Sequence, residues 1–458
     1  MSKFDRVIKN GIVVTAADTF KADIGISNGR IAAIGEDLHA DEIIDAGGNY
    51  ILPGGIDVHT HLDMPLNERL TSADDFETGS IAAAIGGTTS FIDYACQPTG
   101  GTLHKGLETW KQKGQKSCLD YGLHMAVTRA DEETLAEMEE LVLTEGVTSF
   151  KVYLVYDMRV NDEELLKILE KAKACGALVT VHCENYYVIK HRTEKLLSAG
   201  KTKPKYHPVS RPAACEAEAV NRVLKLAELA DAPVYIVHNS CEESVRLIKA
   251  AQEKGREVYA ETCPQYLFLT DKEYERPDFE GAKYVMSPPL RKAGDNEYLW
   301  KQLKAGVLDV VATDHCPFTF AEKKLGEHDF SKIPNGGTGI EERMLLMLSE
   351  GIRHGLTLNK IVEVTALNPA RLFGLYPQKG TIAIGSDADL VIYDSKIERR
   401  ICKEMLHENV DYTVYDGISI KGCPIMTFSR GEIIVKNGVY VGEKRRGQFL
   451  KRKKVLDS

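Results

Sequence analysis

Between residues 53 and 377 the chain repeats one pattern, a short apolar run followed by a longer stretch with helical spacing. The runs IDVHTHL, TSFIDY, DYGLHMA, TSFKVYL, LVTVHCE, VYIVHNS, EVYAET and VVATDH read as strands. Segments such as DEETLAEMEELVLTEG and NDEELLKILEKAKACG lie between them; their leucines recur at three- and four-residue spacing and they end in Gly, as helices do. Eight such units predict an α/β fold, a parallel TIM-type (β/α)8 barrel whose catalytic groups project from the C-terminal strand ends.

The ends of the chain read differently. RVIKNGIVV (6 to 14), ADIGISNGRIAAIG (22 to 35) and EIIVKNGVYV (432 to 441) place β-forming residues around Asn-Gly. That dipeptide suits a tight hairpin because both positions tolerate positive φ. The expected arrangement is a small β-sandwich domain built from residues 1–52 and 378–443, with the catalytic barrel, 53–377, as an insertion. Residues 444–458 then form a basic C-terminal tail, expected to be solvated or to touch another subunit. A formal net charge of −9 excludes a general nucleic-acid binder. The ten cysteines form no CxxC pair and MSKFDRVIKNG has no apolar h-region, so neither a disulfide framework nor secretion is indicated. No apolar run is long enough to span a membrane, and a cytoplasmic location is expected.

A barrel demands that residues suited to chemistry fall late in its strands. His59 and His61, at i and i+2 on the first strand, share a face, the spacing two imidazoles need to bind one metal. His182 ends the fifth strand, His238 the sixth and Asp314 the eighth. Lys151 lies in FKVYLVY (150 to 156), where a buried ammonium is costly. Its place at the end of the fourth strand turns it toward the same mouth. Beside two divalent cations an ammonium is repelled, whereas a neutral amine can take up CO2 and offer a carbamate oxygen to each metal. Two dications set against Asp314, the carbamate and a hydroxide leave the centre positive, electrophilic enough to polarise a carbonyl.

GGIDVHTHLD, SFKVYLVY, VHCEN, YIVHNS, ETCPQY, MSPPLR, ATDH and IPNGG, in this order, resemble the cyclic-amidohydrolase superfamily, specifically its hydantoinase and dihydropyrimidinase branch. The similarity extends to KGTIAIGSDADLVIYD at 379 to 394. The resemblance implies a binuclear zinc centre: His59, His61 and Asp314 on one metal, His182 and His238 on the other, and carboxylated Lys151 bridging them. It also implies that Tyr156 donates to the developing oxyanion, and that Ser287 and Asn335 hold the substrate ring largely through backbone groups. Manganese or cobalt would suit the same ligands. The implied reaction is hydrolysis of a cyclic amide in hydantoins or 5,6-dihydropyrimidines to an N-carbamoyl acid, with Asp314 moving the proton to the leaving nitrogen. D-handedness and a homotetramer or dimer are likewise implied by resemblance. A non-catalytic scaffold, known among relatives that have lost ligands, is disfavoured because all six ligand positions are filled.

Other motifs carry less. GISNG (25 to 29) matches a nucleophile-elbow pattern but contains an Asn-Gly turn with no helix after it. Cys183 adjoins His182 on a strand, so the two face opposite sides and Cys183 is read as core. His315 and Cys316 follow Asp314 at the mouth; for His315 a supporting role and local hydrogen bonding are both open. Dihydroorotases carry an arginine shortly after the His-x-His; here Asp63 takes that place, and Arg69 is expected to be exposed. An allantoinase-like Asn-Glu-Pro run is absent. Leu62, Met64, Leu66, Tyr153 and Met158 suggest an apolar side pocket. The predicted substrates are neutral five- and six-membered cyclic ureides, aryl hydantoins included.

Overall fold

The computed structural model describes residues 4–98 and 100–454. Its centre is an eight-stranded parallel sheet: β1 (Gly55–Thr60), β2 (Thr88–Cys96), β3 (Asp120–Ala126), β4 (Ser149–Tyr153), β5 (Leu178–His182), β6 (Val234–Ile236), β7 (Val258–Thr262) and β8 (Val310–Val311). Each begins within a sequence-predicted run or at its edge. The sixth and eighth are shorter than expected, since pairing ends at Ile236 and Val311, so His238 and the residues from Ala312 to His315 lie beyond the ladder and do not end a strand.

Closure between β8 and β1 therefore rests on single bonds. Asp314 N–H donates to the His59 carbonyl and His61 N–H to that of His315, both at 2.9 Å. At the other end of these strands the fully buried Arg343 guanidinium donates to the Ile56 and Val311 carbonyls, 3.0 Å each.

The helices follow their sequence signals. Asn161 and Glu164 form a reciprocal capping box at the start of the helix Asp162–Cys175, and Gly176 at φ 77° ends it. That helix buries Leu165, Ile168, Leu169 and Ala172 against the barrel. The segment from Glu132 widens into a π turn at Leu141–Glu145 before Gly146.

The chain termini share a nine-stranded mixed sheet. Within it Tyr50–Pro53 pairs antiparallel with the start of Leu390–Arg400, joining strands from opposite ends of the sequence. Ile8, Val13, Ile24, Ile51, Leu390 and Phe428 are among its buried core. Two of the three expected hairpins form, at Asn28-Gly29 and Asn437-Gly438, both with positive φ. The third does not. Phe4–Val14 is one continuous strand, and Asn10 (φ 57°) marks a bulge in its pairing with Thr19–Ser27. A left-handed Asn serves a bulge as readily as a turn, and the long-range partners Thr19–Ser27 and Ala40–Asp45 decide which.

The basic run at the C-terminus is not a solvated tail as far as it is described; residues 455–458 lie outside the described residues. Tyr121 N–H donates to the Gln448 carbonyl, Leu450 N–H to that of Tyr121, and Arg452 N–H to that of Gly146. Leu450 packs with Phe373 and Leu375 beneath the barrel strands, and Arg452 is buried with its guanidinium on the Leu123 carbonyl. Charge composition suggested solvent exposure, but backbone pairing to β3 and one apolar anchor dominate. Among the described residues no helix is long and apolar enough to cross a membrane.

Candidate metal centre and active site

The C-terminal ends of the strands converge on one mouth. His59 on β1 and His61 just beyond it point the same way, and their Nε2 atoms lie 3.1 and 3.2 Å from Asp314 Oδ1. Ligand atoms of these three residues all fall within 4.8 Å of one another, a spacing a single cation can span. Across the mouth His238 Nε2 faces His182 Nδ1 at 2.9 Å. The His59 and His238 ring centroids are 5.4 Å apart, so the two groups adjoin. Lys151 reaches the same space from β4, two residues before the strand ends; it is 1% exposed, and its Nζ lies 4.6 Å from the Tyr94 ring centroid and 5.2 Å from that of Tyr153. Among the described residues no carboxylate lies within ion-pair distance of it.

Two carboxylates that sequence reasoning missed orient the imidazoles. Glu261, on β7, accepts from His59 Nδ1 and from the His238 backbone N–H (3.0 Å), while its other oxygen accepts from the Tyr235 hydroxyl (2.8 Å). Glu184 accepts from His182 Nε2 at 2.8 Å and from Arg211 at 2.6 Å. These contacts assign a proton to Nδ1 of His59 and to Nε2 of His182, which turns His59 Nε2 toward Asp314 and His182 Nδ1 toward His238. His59 Nε2, His61 Nδ1 and His238 Nδ1 are buried with no hydrogen-bond partner among the described residues. Of the three, His59 Nε2 is the one turned toward Asp314, and leaving such a buried atom unmatched costs about 1–3 kcal/mol, which a bound cation there would relieve. No spacing signal pointed to Glu261 or Glu184; only a carboxylate at or near the end of a barrel strand could have.

Burial and neighbouring charges pull these groups in opposite directions. Burial opposes the charged form of His59, yet Glu261 and Asp314 outweigh it and raise its pKa to about 9. Burial takes His61 down to about 4 despite Asp314. Burial would raise Asp314, but His59 and the neighbouring imidazoles hold it well below the usual carboxylate range. Burial lowers Lys151 to about 8, against the pull of Glu261 and Asp314. Tyr156, His238 and Asp314 adopt left-handed φ of 69°, 39° and 55°. For side-chain-bearing residues this costs about 1 kcal/mol or more each, and here it turns three side chains into the mouth.

Above the donors lies a cavity of about 660 Å³. Tyr156, Ser287 and Asn335 line it together, and Ser287 Oγ donates to Asn335 Oδ1 at 2.7 Å. Met64, Leu66, Tyr153 and Met158 form part of its wall as expected, joined by Phe318, Ile333 and Pro334, which sequence reasoning did not single out. Leu62 does not take part; it is fully buried against Gly79 on the far side of the loop. Asp63 also turns away, toward Lys113 and Lys116 at 4.0 and 3.7 Å, so its charge does not face the cavity. Arg69 is exposed and outside the lining. Cys183 is buried with its thiol pushed up by burial. His315 is held by Asp74 at 3.0 Å, a local hydrogen bond away from the mouth, while Cys316 lines the cavity.

This fold and donor set define a class. The sequence model described as the amidohydrolase family matches residues 50–434, and the chain belongs to that family. Membership implies a binuclear divalent-metal centre, which the clustered donors and the unpartnered His59 Nε2 fit. The chain is 47% identical to a D-hydantoinase of Geobacillus stearothermophilus over 98% of its length and 97% of the relative's. It is 42% identical to a D-phenylhydantoinase of Escherichia coli O1:K1 / APEC, covering 98% of both. The crystal structure of a dihydropyrimidinase from Brevibacillus agri NCHU1002 superposes with a TM-score of 0.97 at 48% identity, over 98% of this chain and 99% of that one. Within the amidohydrolases the chain stands in this hydantoinase and dihydropyrimidinase branch.

Proposed function

We propose that the protein hydrolyses the cyclic amide bond of hydantoins and 5,6-dihydropyrimidines to N-carbamoyl amino acids. The observation that carries this is the convergence of His59, His61 and Asp314 on one point and of His182 and His238 beside it, under a wall of mixed apolar side chains. His59, His61 and Asp314 would hold one metal, His182 and His238 the other, with Lys151 bridging as a carbamate. Zinc is the metal proposed, with manganese and cobalt suited to the same donors. When bound, the metals supply a hydroxide nucleophile at neutral pH and polarise the scissile carbonyl.

The rest falls to the chain. The Lys151 amine, dried by burial, is drawn toward its neutral form; adding to CO2 it forms one N–C bond and releases one proton. Asp314, held ionised, would accept the proton of that hydroxide and return it to the leaving ring nitrogen. Tyr156 keeps its phenolic proton, since burial pushes its pKa up to about 12 despite Arg211, and donates it in a hydrogen bond to the developing oxyanion. Ser287 and Asn335 hold the ring through backbone groups. Of the cations on the wall, Arg211 is already paired with Glu184, which favours neutral rings over acidic ones. D-handedness and assembly as a homotetramer or dimer are inferred from the family; chiral analysis of product and light scattering read them.

Steady-state rates with dihydrouracil, hydantoin, 5-phenylhydantoin of each hand, allantoin and dihydroorotate test the proposal. Hydantoins or dihydrouracil are expected to be fastest. Faster turnover of dihydroorotate or allantoin overturns it.

A further inference from the structure

Lys323 is a buried cation that the chemistry above does not use. It ends the short helix Phe320–Lys323, has no solvent exposure, and has no ion-pair partner among the described residues. Its Nζ instead donates to three backbone carbonyls: Val285 at 2.9 Å, and Pro334 and Gly336 at 2.7 Å each. An ammonium has three N–H groups and no acceptor, so these carbonyls exhaust it.

The three acceptors belong to two segments at the cavity. Pro334 and Gly336 flank Asn335, and Val285 lies two residues before Ser287. The segments also bond directly, Gly336 N–H to the Val285 carbonyl at 3.0 Å and Ser287 Oγ to Asn335. Gly336, at φ 146°, presses against the Cys316 carbonyl where a Cβ would clash. Neither segment belongs to a strand ladder or a helix, so buried carbonyls here depend on what is brought to them.

We infer that Lys323 is a positioning residue for substrate: its ammonium pins the 285–287 and 333–337 segments so that their backbone groups meet the ring in one geometry. This rests on the reading of Ser287 and Asn335 as ring-holding residues. Contacts to the part of the ring that does not change during reaction are made equally in ground and transition states. Loosening them therefore raises KM more than it lowers kcat.

The test uses the full-length, metal-loaded enzyme. Lys323→Met and Lys323→Gln, neutral and of similar length, are expected to raise KM for hydantoin about tenfold with kcat within about threefold and metal content unchanged. Amide hydrogen exchange should quicken at 285–287 and 333–337 in the same variants. A folded variant with wild-type KM and wild-type exchange overturns the inference, as does loss of kcat alone. Should neither variant fold, Lys323→Arg decides, because a planar guanidinium cannot meet the three carbonyls as an ammonium does: a raised KM with kcat kept supports the clamp, and wild-type KM with wild-type exchange overturns it. Exchange with 5,5-dimethylhydantoin bound separates the two readings. Absence of protection at 287 and 335–337 in wild type removes the ring-holding role, whereas protection combined with unchanged variants removes only Lys323.

Discussion

Tyr156→Phe separates transition-state stabilisation from everything else the cavity does. The substitution removes one oxygen and leaves the ring, whose centroid lies 5.4 Å from that of His182 and 5.8 Å from the Arg211 guanidinium carbon. Ser287 loses one neighbour but keeps its bond to Asn335 at 2.7 Å, so no buried group is stranded. The cost to folding is then small, about 1 kcal/mol or less. The cost to catalysis is larger because the phenol is neutral, partly dried and aimed where charge develops. One such donor is worth about 3–4 kcal/mol, or about 10²- to 10³-fold in kcat. The assay is steady-state turnover of hydantoin on protein whose metal content has been measured, with the melting temperature as control. A loss of less than about tenfold in kcat at full metal occupancy would refute the oxyanion role. A change confined to KM would make Tyr156 a binding group, and lost metal would show that it acts through His182.

Lys151→Ala should lose metal and activity together, with added short carboxylates restoring part of both; two tightly held metals and normal turnover in the variant would sink the carbamate assignment. Asp309, at the opposite end of β8, has a pKa raised by burial to about 7, against the Ala260 N–H it accepts. A raised carboxyl stabilises the fold below its ordinary pKa and loses that contribution as pH climbs through 7. Asp309→Asn should therefore gain stability over wild type between about pH 5 and pH 8, by about 1–2 kcal/mol after solvent screening, as read by calorimetry; a constant gap excludes this. Leu450→Ala should cost about 2–3 kcal/mol while leaving kcat intact, since Leu450 fills the barrel floor far from the metals; an unchanged melting temperature would count against that anchoring.

The sequence made the repeating units legible because strands buried on both faces write long apolar runs, and the caps at Asn161 and Gly176 carry their own chemistry. Ligand-type residues at strand ends stood out because a histidine or lysine in such a run needs a reason. What did not show were groups whose role comes from contact rather than spacing. Glu261 and Glu184 look like ordinary carboxylates until His59 and His182 are placed against them. Lys323 sits in the polar stretch AEKKLGE and reads as solvated; only the return of residues 334–336 buries it. Asp63 and Leu62 were misplaced because positive φ at Asp63 (55°) breaks the alternation that would have put one of them in the cavity. Asn10-Gly11 failed for the complementary reason, a local signal shared by two structures that only distant strands tell apart.

The outer sheet joins Tyr50–Pro53 to Leu390–Tyr393, segments that leave the ribosome about 340 residues apart. At synthesis rates of about 5–20 residues per second, the first-made strands wait on the order of twenty seconds or more with the Tyr50–Pro53 edge unpaired. An unpaired edge is a template for pairing with another chain. Production of this protein should therefore be limited by what shields residues 4–53 during translation, and slower elongation through the barrel should lower soluble yield even though the finished molecule is unchanged.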